Sequence, residues 1–183
     1  MADFATAHAL TTRNEGGYAH NPADAGGETL FGVSRKNFPQ WAGWPIVDEL
    51  KRHAGFPGTA NANAQLQQLA HALYKTAFRN VLKLDGVTNQ AVANAAYDFG
   101  VNAGTGRAAG FLQRAVNVTS GAQLVADGVV GPRTVAALNA HPHQALLLKA
   151  FAFLRGTFYI GLAEKSLTQE QFIPSWFLRI SLS

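Results

Sequence analysis

The chain has 183 residues, a hydrophobic fraction of 48%, a charged fraction of 14% and a formal net charge of +4. That length can bury one compact core or two small ones, and that composition excludes an intrinsically disordered chain. The absence of cysteine excludes disulfide staples and thiolate metal sites. Charge is unevenly spread: residues 1–50 carry three basic and six acidic side chains, and residues 51–183 carry twelve and five. A basic remainder of this kind favours an anionic polymer as partner. With no Lys/Arg run, zinc finger or RNA-binding aromatic signature, nucleic acid is not the expected one.

In chain order, the start MADFATAHAL lacks the basic segment and long apolar core of a secretory signal, so export by the general route is not expected. Phe4, Ala7 and Leu10 recur at helical spacing and predict an amphipathic helix that ends on Glu15. Gly16 and Gly17 follow, expected to stop the helix by taking positive φ. Next come Asn21, Pro22, Asp24, Gly26, Gly27, Glu28 and Thr29, a polar run in which Gly, Pro, Asn and Asp each favour turns for their own reason. A short hairpin ending in Leu30, Phe31 and Val33 would fold Asp24 and Thr29 back over the carboxylate. An acid on a helix end facing a carboxylate and a hydroxyl is the equipment of glycoside hydrolysis: one group protonates the leaving oxygen, the other activates water or stabilises positive charge. The plainer alternatives are a solvated terminal Glu15, an Asx-turn Asp24, an ion-paired or solvated loop Glu28 and a strand Thr29 chosen for its β-branching.

Trp41 and Trp44 follow in PQWAGWP, as candidates either for stacking on sugar rings or for core packing. Pro45 starts a predicted helix through His53, and FPGTANAN reads as a polar loop. Leu66, Leu69, Ala70, Leu73, Tyr74, Ala77, Phe78 and Val81 form the clearest 3.6-residue stripe, a core helix on which Tyr74, Lys75 and Arg79 either face a cleft or pack. Asp85-Gly86 is a turn, Asn89 to Gly100 an alanine-rich buried helix, and Asp98 on it either a supporting carboxylate or a structural one. Ala145 to Leu162 is the most apolar stretch; Lys149, Arg155 and Gly156 interrupt it, so it reads as a buried helix without stable membrane insertion. Thr168 and Gln171 have the spacing of a capping box for a last helix containing Trp176 and Arg179. The six histidines lack metalloprotease spacing, so neither a metal nor a cofactor is expected.

The run from Glu15 to Val33, EGGY-x2-NPAD-x-GGET-x2-G-V, is similar to the signature of glycoside hydrolase family 108, a peptidoglycan N-acetylmuramidase family that includes phage-type endolysins and secretion-associated muramidases. The resemblance implies a mainly α (α+β) lysozyme-like fold with a small β-hairpin beside the catalytic helix. It implies Glu15 as general acid, with Asp24 and Thr29 completing the catalytic set in the order of phage lysozymes, one residue shorter before Thr29. The bond cleaved would be the β-1,4 link between N-acetylmuramic acid and N-acetylglucosamine. Tyr18 of the motif and Trp41 would contact substrate. Tyr97 to Asn117 resembles the start of the peptidoglycan-binding region that accompanies this family. Its Asn102 would offer amide hydrogen bonds to N-acetyl groups or cap the next helix, and Gln113 is a candidate of the same kind. The run DGVVGPRT from Asp127 resembles a loop shared by peptidoglycan-binding modules and is read as structural.

The resulting division is a catalytic region at 1–95 and a helical peptidoglycan-binding region at 96–183, packed into one two-lobed body. Such a protein acts in the periplasm or cell wall on bacterial peptidoglycan, and without a signal it requires a holin or a secretion system for export. The alternatives are a lytic transglycosylase and a non-catalytic wall-binding or secretion-associated module.

Overall fold

The computed structural model describes residues 1–12, 16–20 and 27–180. The chain is mostly helical with one small three-stranded antiparallel sheet. It divides into two compact units, Ala9–Ala77 and Met1–His8 with Phe78–Ser183. Helix α1, Phe4–Thr12, contributes residues to both.

In the Ala9–Ala77 unit, strands β1 (Ala19–His20), β2 (Glu28–Leu30) and β3 (Val33–Ser34) pair in sequence order, with Thr29 opposite both Ala19 and Ser34. Two residues, Phe31 and Gly32, connect β2 to β3 at φ of 50° and 74°. Positive φ at both central residues is the mark of a turn whose twist matches the flanking strands. Phe31 therefore belongs to the turn and not to the strand. Helices α2 (Trp44–Leu50), α3 (Gly58–Asn61) and α4 (Ala64–Tyr74) complete this unit. Pro45 opens α2 as expected, and the Asn63 side chain accepts from the Leu66 amide at 3.0 Å to cap α4. Leu30, Val33, Trp41, Trp44, Val47, Leu66 and Tyr74 are buried and form its core.

The helical stripe predicted through Val81 breaks at a π turn over Lys75–Arg79. The extra residue in that turn rotates the residues after it, so Val81 is exposed while Leu82 and Leu84 are buried. Arg79 lines no cleft: it is 1% exposed, lies 5.5 Å over the Phe4 ring, and donates to Asp85 at 2.6 Å and to the Ala2 carbonyl. This cation ties the N-terminus into the second unit.

That unit is built on α5 (Gln90–Ala103), α6 (Thr105–Ser120) and α8 (Gln144–Ala163), with α7 (Pro132–Ala140), α9 (Leu167–Glu170) and α10 (Ile173–Leu178) around them. Asn89 caps α5 through the Val92 amide at 3.1 Å. The division read at 95 and 96 falls inside α5, a continuous helix packed on α6 and α8. Small residues let these three approach closely, Ala93, Ala96, Ala108, Ala109 and Ala115 all being buried. Phe99 sits at the centre, stacked on Phe111 at 5.3 Å and edge-on to Phe151, Phe158 and Tyr159.

On α8 the buried positions Leu147, Phe151, Arg155 and Tyr159 recur every fourth residue, whereas Leu146, Phe153 and Ile160 face outward. By length and composition α8 could cross a membrane; in this fold its inner side is the core of the unit. Asp98 is structural, since it pairs with Arg155 at 2.5 Å and Arg179 at 3.1 Å. Trp176 stacks on Tyr159 at 5.0 Å, and the expected capping box gives way to two short helices, with Thr168 inside the first.

Candidate functional site

Glu15 and Asp24 lie outside the described residues. Gly16 to His20 and the chain from Gly27 onward are described, and so are the contacts by which the fold holds them. Gly17 has no positive φ; its glycine is required by a close approach instead. A Cβ there would lie 2.5 Å from Asn61 Cγ, a distance real side chains do not reach. Asn61, the last residue of α3, uses its Oδ1 to accept the Tyr18 amide at 2.7 Å, while its own carbonyl accepts from Gln67 Nε2 at 3.0 Å. The backbone at Gly17 and Tyr18 is thereby pinned from a segment whose composition reads as a polar loop. Nothing in ANAN announces that role, because Asn61 acts on a residue 43 positions away.

The Tyr18 ring rests edge-on against Phe56 at 4.5 Å, and the Lys51 ammonium lies 5.7 Å from its centre. Partial burial, followed by the negative charge of Glu28, pushes the Tyr18 phenol above its ordinary range. Tyr18 is half-buried and thus retains surface for a ligand.

Glu28 opens β2 and is ion-paired, with its side chain only 9% exposed. Its carboxylate meets Arg35 Nε at 2.7 Å and Lys51 Nζ at 2.5 Å. Asp48 on α2 closes the array, receiving Arg35 in bidentate fashion at 3.1 and 2.6 Å and Lys51 at 3.3 Å. The Arg35 hydrogen bonds hold the Asp48 carboxyl below its usual range. Two carboxylates and two cations thus clamp the hairpin onto α2, and Arg35 stacks 4.3 Å over the Trp44 ring. A charge array of this kind is low in net field and high in geometric constraint. Thr29, one residue on, sits in β2 with its hydroxyl 3.5 Å from the Ala19 carbonyl, so the fold makes it a strand residue whose hydroxyl is only weakly engaged.

Two expected substrate contacts are corrected by burial. Trp41 is 6% exposed and edge-on to Trp44 at 4.9 Å, with Gly43 against its ring, so it offers no face to a sugar. Gln113 is 2% exposed and spent on the DGVVGP loop: its Nε2 donates to Asp127 at 2.9 Å and to the Val129 carbonyl at 3.0 Å, and its Oε1 accepts the Gly128 amide at 3.1 Å. Gly128 takes φ of 78° there, and its Cβ would meet the Gly106 carbonyl at 2.8 Å. Asn102 is exposed on the last turn of α5 and does not cap α6, whose N-cap is Gly104. It remains available to a ligand.

His141 is held neutral by burial, which pushes its imidazole below the usual range. Its Nδ1 accepts the His143 amide at 3.1 Å, which leaves the proton on Nε2 to reach Thr119 at 2.8 Å. Among the described residues no cluster of three His, Asp or Glu side chains could hold a metal ion.

The model of the family described as Glycosyl hydrolase 108 matches residues 8–104, more than half of the chain. The chain belongs to glycosyl hydrolase family 108. Residues 107–181 match the family described as Predicted Peptidoglycan domain. Family 108 membership makes the protein a glycoside hydrolase, and the second match makes it a peptidoglycan hydrolase with peptidoglycan as substrate or partner. A solved structure titled Brucella abortus SagA is similar to it with a TM-score of 0.67 and 24% identity, covering 97% of this chain and 88% of that one. That likeness shows the fold, a lysozyme-like helical architecture with a small β element. No curated protein sequence matches the chain.

The pinning of Gly17 and Tyr18 carries a first prediction. Gly17→Ala forces Asn61 aside and is expected to destabilise the Ala9–Ala77 unit by about 1–3 kcal/mol, the usual cost of overpacking. Adding Asn61→Gly should recover part of that loss, since it removes the atoms in the way while giving up the bond to Tyr18. Urea midpoints of the two singles and the double measure the coupling; strict additivity would show that the two residues do not press on each other.

Proposed function

We propose that this family 108 hydrolase is an N-acetylmuramidase that cleaves the β-1,4 bond between N-acetylmuramic acid and N-acetylglucosamine, with Glu15 as the general acid. The observation that carries this reading is the anchoring of Gly17 and Tyr18 by Asn61, directly after Glu15 in the EGGY run. A proton donor must be held to a fraction of an ångström in order to act, and a backbone pinned two residues away serves that need. Thr29 orients the attacking water from the hairpin clamped by Glu28, Arg35 and Lys51. Asp24 accepts its proton or stabilises the developing positive charge. With the water on the face opposite the acid, the reaction inverts the anomeric carbon.

Tyr18 supplies a half-buried aromatic face to the saccharide, and Asn102 an exposed amide. The protein works in the periplasm or cell wall as a bacteriolytic, endolysin-type or secretion-associated enzyme and leaves the cytoplasm with the help of a holin or secretion system.

Digestion of purified peptidoglycan followed by mass analysis tests the reaction. Hydrolysis is expected to yield fragments ending in reducing N-acetylmuramic acid. Fragments one water lighter, with anhydro ends, would instead assign a lytic transglycosylase, and intact walls a binding module. NMR of the first product should show the inverted anomer; a retained β product would remove Asp24 and Thr29 from the catalytic set and leave Glu15 acting with a different partner.

A further inference from the structure

Among the described residues Arg107, Arg114 and Arg133 stand apart from the other arginines. Arg35, Arg52, Arg79, Arg155 and Arg179 each pair with a carboxylate. Arg107 and Arg114 on α6 are exposed and have no carboxylate partner among the described residues. They are nonetheless held in place. The Arg107 guanidinium lies 4.3 Å over the Phe158 ring and donates to the Ala103 carbonyl at 2.7 Å, while Arg114 lies 5.5 Å from the centre of Phe111.

Phe111 and Phe158 are half-buried, edge-on to each other at 6.2 Å, and both pack on the buried Phe99. Positions 107, 111, 114 and 118 share one side of a helix, so Arg107, Phe111, Arg114 and the exposed Val118 make a continuous stripe. Seven residues of helix set the two arginine positions about 10 Å apart. Between Phe99 and Ala163 the sole acidic residue is Asp127, and it is engaged by Gln113 and the Val129 amide. No acid within that stretch is free to neutralise this stripe.

We propose that the Arg107–Phe111–Arg114 stripe, backed by Phe158, is a binding site for the carboxylate-bearing peptide stem of peptidoglycan. The proposal rests on the reading of this region as peptidoglycan-binding and specifies which part of the polymer it reads. Guanidinium forks bind carboxylates in paired hydrogen bonds. The half-buried phenyl faces between them suit the aliphatic portions of short peptide side chains. Because stacking already restrains Arg107, less side-chain freedom is lost when a stem binds. A neutral glycan strand would leave both cations without a counter-charge, so selectivity falls on the peptide.

The test uses the full chain and purified disaccharide-peptide fragments of peptidoglycan, with binding followed by calorimetry at low salt. Arg107→Gln and Arg114→Gln are each expected to weaken binding by on the order of tenfold, the scale of one lost charge-assisted interaction. Arg133→Gln and Lys149→Gln, exposed cations off the stripe, should bind as the wild type does. Neutral N-acetylglucosamine oligosaccharides, which carry no carboxylate, should bind the wild type and the Arg107 and Arg114 variants equally weakly. Unchanged binding by both stripe variants overturns the proposal, as does an equal loss in the off-stripe variants, which would mean a general charge effect. Stripe variants that lose affinity for these neutral sugars would assign the stripe to glycan instead. Wild-type protein that binds whole walls but not the fragments refutes the stem site alone, and binding to neither refutes the peptidoglycan reading beneath it. Unchanged unfolding midpoints in the variants confirm that any loss is not one of folding.

Discussion

Glu15→Gln is expected to lower wall cleavage by about 10²-fold or more while leaving folding and wall binding unchanged. The substitution keeps the size of the side chain and a hydrogen-bonding end, yet removes the proton that the leaving oxygen must receive, and general acid catalysis is commonly worth about 10²–10⁴-fold. Turnover of soluble glycan fragments separates this effect from any change in adsorption to insoluble wall. The effect should appear in kcat with KM nearly constant, because the proton is transferred in the transition state and not on binding. A variant that turns over at a near-normal rate would remove Glu15 from the mechanism, and with it the catalytic significance of the Asn61 anchor.

Asp98→Ala should have the largest effect on stability, about 3–5 kcal/mol, because it strips a buried cation of its counter-charge. Arg155 is 2% exposed, and its guanidinium lies 5.2 Å from the Phe99 ring in the centre of the helical unit. Without Asp98 it keeps the Arg179 carbonyl at 3.4 Å, the Phe99 and Phe151 ring faces and the neighbouring Tyr159 phenol, none of which carries a counter-charge. Arg179 loses the same partner, while Trp176 keeps its stacking on Tyr159. Arg155→Met should cost less, since it removes the buried charge together with the need to balance it. Urea unfolding of both variants compares them directly; equal midpoints would mean that Asp98 does no more than fill space.

Much of this architecture can be read locally. Asn63 and Asn89 announce helix starts because a capping side chain needs only the amide three residues on. The inner stripe of α8 emerges from a four-residue rhythm, and the EGGY to GGET run is specific enough to name the family. The Phe31-Gly32 turn is not read this way: the sequence sets Phe31 at the end of the hairpin strand, and the structure turns the chain there with positive φ at both positions.

Features that depend on neighbours in the chain are thus legible in residue order: helix caps, helical periodicity, and a motif whose residues lie within about one hairpin. Which polar and aromatic residues turn inward depends on partners that only folding brings together. Trp41 and Gln113 carry groups suited to a sugar site, and nothing near them in sequence says that one packs on Trp44 while the other is consumed by Asp127, Gly128 and Val129. Arg79 and Arg155 look like surface cations until Asp85 and Asp98 are brought against them. Asn61 meets Tyr18 across 43 residues and Arg179 meets Asp98 across 81, and the π turn at Lys75–Arg79 shifts a register that a uniform period extends to Val81. A charge or an amide can be buried only where a distant partner offsets its lost hydration, and the identity of that partner is settled by the fold.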